Sequence, residues 1–172
     1  MRKCRPDIVF RRRSGRMRGS MKINTRLFGE VEISDDKIIC FENGIIGFPE
    51  LKRFALIHDE ESGTGAGIRF LQSLDEANFA MPVIDPLIVK PDYNPEVDDE
   101  LLTGVGHVTE DNILVLVTVS VPSDLTKMSV NLQGPFVINV DTNKACQMIL
   151  DSSDYPVKFP VYDILQGGKA GV

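Results

Sequence analysis

Hydrophobic and polar positions begin to alternate at Met21. Over Lys22 to Phe28, Ile23, Thr25 and Leu27 stand against polar neighbours, and Val31 and Ile33 keep the period of two beyond Gly29. That is the period of a strand, whose successive side chains face opposite sides. Further strand-like runs are Lys37 to Phe41, Phe54 to His58, Ile68 to Leu74, Phe79 to Ile84, Leu87 to Lys90, Ile113 to Val121, Met128 to Leu132, Phe136 to Val140 and Cys146 to Leu150. They are bounded by Gly, Pro, Asn and Asp, the residues that end strands. Many short strands at close spacing, with no long helical pattern between them, predict an all-β fold. The expected architecture is a small barrel-like antiparallel or mixed sheet with one or two short helices.

One stretch breaks the alternation. Asn94-Pro95-Glu96-Val97-Asp98-Asp99-Glu100-Leu101-Leu102 opens on a capping residue, has proline at the first helical position and acids in the first turn, and is followed by Gly104. These signals predict a short helix. Val97 and Leu101, four apart, are expected to pack inward, while Glu96, Asp99 and Glu100 spread over the exposed side. Acids at a helix N-terminus suit its dipole whatever else they do.

Charge divides the chain. Residues 1–20 carry eight bases against one acid, a balance of plus 7, so the whole chain's minus 6 leaves minus 13 on residues 21–172. Such a body repels nucleic acid and membrane surfaces and favours basic partners. The basic head has an apolar stretch of only Ile8, Val9 and Phe10, too short for a signal peptide. The longest apolar run, Ile113 to Val117, is far short of the roughly 20 residues that span a bilayer. The chain is therefore expected in the cytoplasm. The head reads as an extension translated from an upstream start or as a disordered arm, in preference to an RNA- or membrane-binding segment. The expected organisation is a basic extension over 1–20, one β domain over 21–165 and a flexible tail over 166–172.

Candidate chemistry is sparse. His58 ends a strand beside Asp59, Glu60 and Glu61, and His107 lies between Gly106 and Val108; neither accompanies a nucleophile motif. Gly63, Gly65 and Gly67 resemble a phosphate loop, but Ile68 occupies the third glycine's place and no Gly-Lys-Ser/Thr follows, so a mobile hairpin loop is the better account. Asp98, Asp99 and Glu100 lack the alternate-residue spacing of a calcium loop. Three widely spaced cysteines do not suggest a zinc site, and Cys40 and Cys146, each in an apolar run, are expected to fill core space. No catalytic residue, metal or cofactor is assigned.

The residues that mark turns also carry a resemblance. Phe41-Glu42-Asn43-Gly44-Ile45-Ile46-Gly47-Phe48-Pro49, followed by Phe54, resembles the F-x-x-G-I-x-G-F opening of the bacterial flagellar assembly factor FliW family. The match continues through Phe70-Leu71-Gln72-Ser73, Phe79-Ala80, Val83, Asp85-Pro86, Asn131-Leu132, Pro135, Val137-Ile138-Asn139, Gln147 to Leu150, Ser153 and Tyr155. It covers Met21 to about Pro160. Physically, Gly44 and Gly47 bracket Ile45 and Ile46 so that the chain turns, offers two β-branched residues to a core and turns again.

The resemblance implies a non-enzymatic cytoplasmic regulator with a barrel-like fold. Such proteins bind flagellin before export and bind the translational repressor CsrA, which otherwise blocks flagellin synthesis. An acidic body suits capture of a basic RNA-binding repressor, with no direct nucleic-acid or membrane contact expected. Glu96, Asp98, Asp99 and Glu100 are the candidates for that contact. An apolar groove for flagellin is expected at exposed aliphatic or aromatic positions, with Phe48, Phe136 and Ile138 as candidates, although ordinary core is the plainer account of each. The alternative class is a small-ligand-binding β-barrel or a minor enzyme, which would require convergent polar groups around His58 or His107.

Overall fold

The computed structural model describes residues 19–58 and 67–170. The first alternating stretch forms an antiparallel hairpin of β1 (Ser20–Thr25) and β2 (Gly29–Ser34). Gly29 turns it at φ +65°, a conformation that strains any residue with a Cβ. Thr25 Oγ1 donates to the Gly29 carbonyl (3.0 Å) and accepts the Phe28 N–H (2.9 Å), locking the turn. There follow β3 (Ile39–Phe41), β4 (Arg53–Ile57), β5 (Arg69–Ser73), β6 (Ala80–Ile84), α1 (Pro86–Val89), α2 (Asp99–Leu102), β7 (Ile113–Ser120) and β8 (Ser129–Val130). The chain continues with β9 (Phe136–Asn139), β10 (Lys144–Gln147), β11 (Phe159–Pro160) and α3 (Tyr162–Ala170).

Strands β7, β6, β5, β4, β3, β10 and β9 lie side by side in that order, and β9 pairs back onto β7 to close a seven-stranded barrel. Neighbours are antiparallel except β3 and β10, where Lys144 pairs with Cys40 and Ala145 with Phe41 in parallel. The eight-residue β7 makes closure possible: Ile113 to Leu116 pair with β9, Val117 and Thr118 with β6, and Val119 and Ser120 with β8. Closure removes the open edges that an isolated sheet would expose. The outlying β11 pairs with β8 and carries Pro160, which has no N–H to offer a further strand.

The period of two separates two cores. Phe41, Phe54, Leu71, Val83, Leu116, Phe136 and Ile138 form one buried cluster, with Phe41 edge-on to Phe54 (centroids 5.3 Å) and to Phe136 (5.7 Å). Their chain neighbours Ile84 and Val117 belong to a second cluster with Val89, Tyr93, Val130, Leu132 and Val161, against which Leu165 of α3 packs. Val83 and Ile84, or Leu116 and Val117, thus serve opposite faces of the same wall. A third, smaller cluster of Ile33, Ala55 and Leu74 joins the β1–β2 hairpin to β4, and Phe28 meets Phe70 edge-on at 5.3 Å.

Several local expectations change. Leu87 to Lys90 is not a strand: Asp85 Oδ1 accepts the Leu87 N–H (2.9 Å), Pro86 takes the first helical position, and α1 results. The ladder of β10 begins at Lys144 rather than Cys146, although Met148 and Leu150 still donate to the carbonyls of Pro135 and Gln133. Cys40 and Cys146 are half-buried, on the barrel wall rather than in the core. The segment read as a tail enters α3, which runs to Ala170. Residues 59–66, which hold Gly63 and Gly65 of the glycine loop, lie outside the described residues, as does nearly all of the basic head.

Candidate protein-binding surface

The acidic segment folds differently from a helix begun at Asn94. Asn94 donates its N–H to the Tyr155 hydroxyl (3.3 Å), and Tyr155 stands edge-on to Tyr93 at 4.8 Å, so this part of the chain is held in irregular form. Asp98, four residues on, is the true cap: its Oδ1 accepts the Glu100 N–H at 3.0 Å. The helix is then a single turn, α2, followed by a 3-10 turn over Thr103–Val105. Glu96, Asp98, Asp99 and Glu100 are all exposed, and Leu101, expected to pack inward, is 53% exposed. The residue that anchors the turn is Val105, wholly buried.

Asn139 holds this turn to the barrel. Buried at the end of β9, it donates from Nδ2 to the carbonyls of Val105 (3.0 Å) and His107 (3.1 Å), and Thr142 Oγ1 donates to Val105 as well. Glu42 adds to the acidic surface; Lys144 Nζ lies 3.7 Å from its Oε1, and its Oε2 faces Gly104. The Cys146 thiol donates to the Leu101 carbonyl at 3.7 Å, and burial pushes its pKa up. Neither Asn139 nor Glu42 stood out in the sequence as part of this surface. The available signal was an asparagine closing an otherwise apolar strand, a place where a polar side chain must find partners.

The glycine-bracketed turn presents a different chemistry. Gly44 (φ +68°) and Gly47 (φ +88°) both occupy the left-handed region, and a Cβ on Gly44 would stand 2.5 Å from the Pro49 carbonyl oxygen. Between them the chain folds back, with Phe48 N–H donating to Ile45 (2.9 Å) and Ile45 N–H to Phe48 (3.3 Å). Only Ile45 enters the core; Ile46 is 55% exposed, its N–H donating to Gln147 Oε1 at 2.8 Å. Phe48 is 41% exposed and rests on Phe79, with centroids 4.6 Å apart. Phe136 and Ile138, by contrast, are 1% and 2% exposed inside the barrel, beyond a partner's reach. The exposed apolar pair on this turn is therefore Ile46 with Phe48.

The histidines do not converge with other reactive groups. His107 is exposed, and only its carbonyl is engaged, by Asn112 and Asn139. Among the described residues, His58 lines an open cavity of about 320 Å³ with Leu56 and Arg69. Among the described residues no group of three or more His, Cys, Asp or Glu side chains is arranged to hold a metal ion. No helix among them is long and apolar enough to cross a membrane.

Known proteins share both the sequence and this architecture. The sequence model of the FliW protein family matches residues 22–161. The flagellar assembly factor FliW of Lachnoclostridium phytofermentans is 46% identical over 146 residues, 85% of this chain and 94% of that protein. That of Thermotoga neapolitana is 38% identical over 153 residues, 88% of this chain and all of its own length. A crystal structure of the flagellar assembly factor FliW superimposes with a TM-score of 0.75 at 31% identity, covering 82% of this chain and 96% of that one. The turn with its two glycines, the Asn139 tether and the closed barrel all lie within the matched span, and the chain belongs to the FliW family of flagellar assembly factors.

Proposed function

We propose that this chain is a non-enzymatic, cytoplasmic regulator that binds flagellin and antagonises a CsrA-type translational repressor, coupling flagellin export to flagellin synthesis. The observation that carries the reading is the exposed acidic surface of Asp98, Asp99 and Glu100, with Glu42 beside it, on a body bearing minus 13. A basic RNA-binding repressor is attracted to such a surface, and its phosphate ligand is repelled from it. Ile46 and Phe48 offer the apolar contact that an amphipathic flagellin segment needs.

The two contacts respond differently to salt and to mutation. Stopped-flow association with the repressor is expected to slow as salt rises, because screening shortens electrostatic steering to roughly 10 Å at 0.1 M. Charge reversal by Asp98→Lys, Asp99→Lys and Glu100→Lys together should slow it at low salt. Flagellin affinity should depend weakly on salt and fall with Phe48→Glu or Ile46→Glu. A repressor association rate indifferent to both salt and reversal would remove the acidic surface from the reading. Flagellin affinity that collapsed with salt as steeply as repressor affinity would undo the division between the two surfaces.

A further inference from the structure

The β1–β2 hairpin lies against the outer face of the barrel wall. Leu71 of β5 belongs to the barrel core, so its neighbours Phe70 and Gln72 stand on the opposite face. There Phe28 packs edge-on against Phe70, and Ile33, with Met21, Ile23 and Val31 around it, packs on Ala55 and Leu74. Gln72 sits in the middle of this patch, between Phe70 and Leu74 along the chain and opposite Ala55 across the β4–β5 ladder, and it is wholly buried. Its amide is satisfied on one side only. Nε2 donates to the carbonyls of Ser73 (2.9 Å), Ala77 (3.0 Å) and Phe79 (3.1 Å), whereas no protein group donates to Oε1. Exchanging the two atoms would aim the oxygen at three carbonyls, so the orientation is fixed.

Apolar packing alone fastens the hairpin over Gln72. Among the described residues no hydrogen bond or ion pair joins residues 20–34 to the barrel; those they make run within the hairpin, such as Thr25 to Gly29 and Lys22 Nζ to Glu30 (3.7 Å). The chain then enters the 3-10 turn Asp35–Lys37, where Asn143 Nδ2 donates to the Asp36 carbonyl at 2.7 Å. That bond pins the base of the hairpin to the turn between β9 and β10.

We propose that the hairpin is a flap that detaches from the closed barrel as one unit about this pinned turn, and that Gln72 sets how readily it does so. Closed, the flap buries an acceptor that no protein group satisfies, which costs free energy. Open, it lets water reach Oε1 while the Nε2 bonds to the turn over 73–79 stay in place. A two-stranded hairpin by itself is marginal in water, so detachment and loss of its ladder are one event. Opening uncovers Ala55, Phe70 and Leu74 with the seven-stranded ring intact.

Native-state amide exchange of the full chain in graded low urea tests the flap. The amides of β1 and β2 should converge on one opening equilibrium, with a urea dependence smaller than that of β7 and β9 because less surface is exposed. Gln72→Met removes the unsatisfied acceptor at similar volume and should slow hairpin exchange about tenfold. It should also speed exchange in the turn over 73–79, whose carbonyls lose their donor; Gln72→Leu should act with the same signs. A substitution that merely loosened the fold would speed the hairpin as well. Hairpin amides that exchange only together with the barrel, or that fray one by one from an end, would overturn the flap. Hairpin exchange unchanged or faster in both variants would overturn the role of Gln72. Failure of both variants to fold would place Gln72 in the support of the barrel itself and would likewise overturn that role. No partner takes part in these measurements, so their outcome is independent of the function proposed above.

Discussion

Asp75, just beyond β5, ties its own segment to the start of β4 through one carboxylate. Its Oδ2 accepts the N–H groups of Lys52 (2.8 Å) and Arg53 (2.9 Å), and its Oδ1 accepts Arg53 Nε at 2.9 Å. Burial alone would raise its pKa; the two backbone donors and the Arg53 guanidinium outweigh that and hold it below the usual carboxylate value. The ionised form is thus favoured in the folded state, so its contribution is present above the unfolded pKa near 3.8 and is lost as pH falls through the folded value. Asp75→Ala should cost about 1–2 kcal/mol in urea unfolding at pH 7, with the gap between variant and wild type closing in acid. Tyr93 shows the opposite edge of the pH range. It is buried, donates its hydroxyl to the Leu132 carbonyl at 2.8 Å, and has its pKa pushed up to about 12, first by burial and then by Tyr155. The folded state keeps this proton where the unfolded chain releases it, so the stabilisation is complete below about 10 and is lost as pH rises through about 12. Tyr93→Phe should cost about 1 kcal/mol at neutral pH and should flatten the fall in stability that wild type shows between those limits.

At the scale of elements, the β1–β2 hairpin stands apart. Its strands pair with each other and not with the barrel, and it is fastened through the small cluster of Ile33, Ala55 and Leu74 and the Phe28–Phe70 contact. Few buried apolar contacts make an element cheap to open locally. Amide hydrogen exchange in β1 and β2 is expected to be faster than in β7 and β9. Phe28→Ala should accelerate it a further few-fold, for a loss of about 1 kcal/mol, while leaving barrel amides unchanged. Equal protection of hairpin and barrel would mean that the two open as one unit. The α2 turn is a contrasting case: only one turn long, it is held by the buried Val105 and by the Asn139 amide, so its acids are displayed on a tethered support.

For the whole molecule, closure makes the barrel core a shared property of seven strands. Phe136 touches Phe41 edge-on and sits 1% exposed on β9, the strand that completes the ring. Phe136→Ala should cost about 3–5 kcal/mol and lower unfolding midpoints followed by any probe of the barrel together. Phe48→Glu, on an exposed ring, should leave the midpoint within about 1 kcal/mol of wild type. Chemical denaturation of the two variants separates a core aromatic from a surface one, a distinction that their similar turn-flanked contexts in the sequence do not make.

The sequence by itself determined the β class, the approximate positions of most strands and the turn built on Gly44 and Gly47. Each of these follows from local rules: a period of two, turn residues at strand ends, and glycine where φ is positive. It also determined that the body is acidic, since charge is a sum over residues and needs no coordinates. The tertiary structure decided what those rules leave free. Leu87 to Val89 became α1 because the Asp85 cap and Pro86 prevailed over a β-branched run. Phe48 and Phe136 both follow turn chemistry, yet one lies on Phe79 at the surface and the other inside the ring, because only strand pairing assigns a side chain to a face. The acidic surface could not be assembled from the sequence either: Glu42, Asp98 to Glu100 and the Asn139 tether come from three separated segments. They meet because β3 and β10 pair in parallel and β9 closes onto β7, long-range contacts that no local pattern encodes.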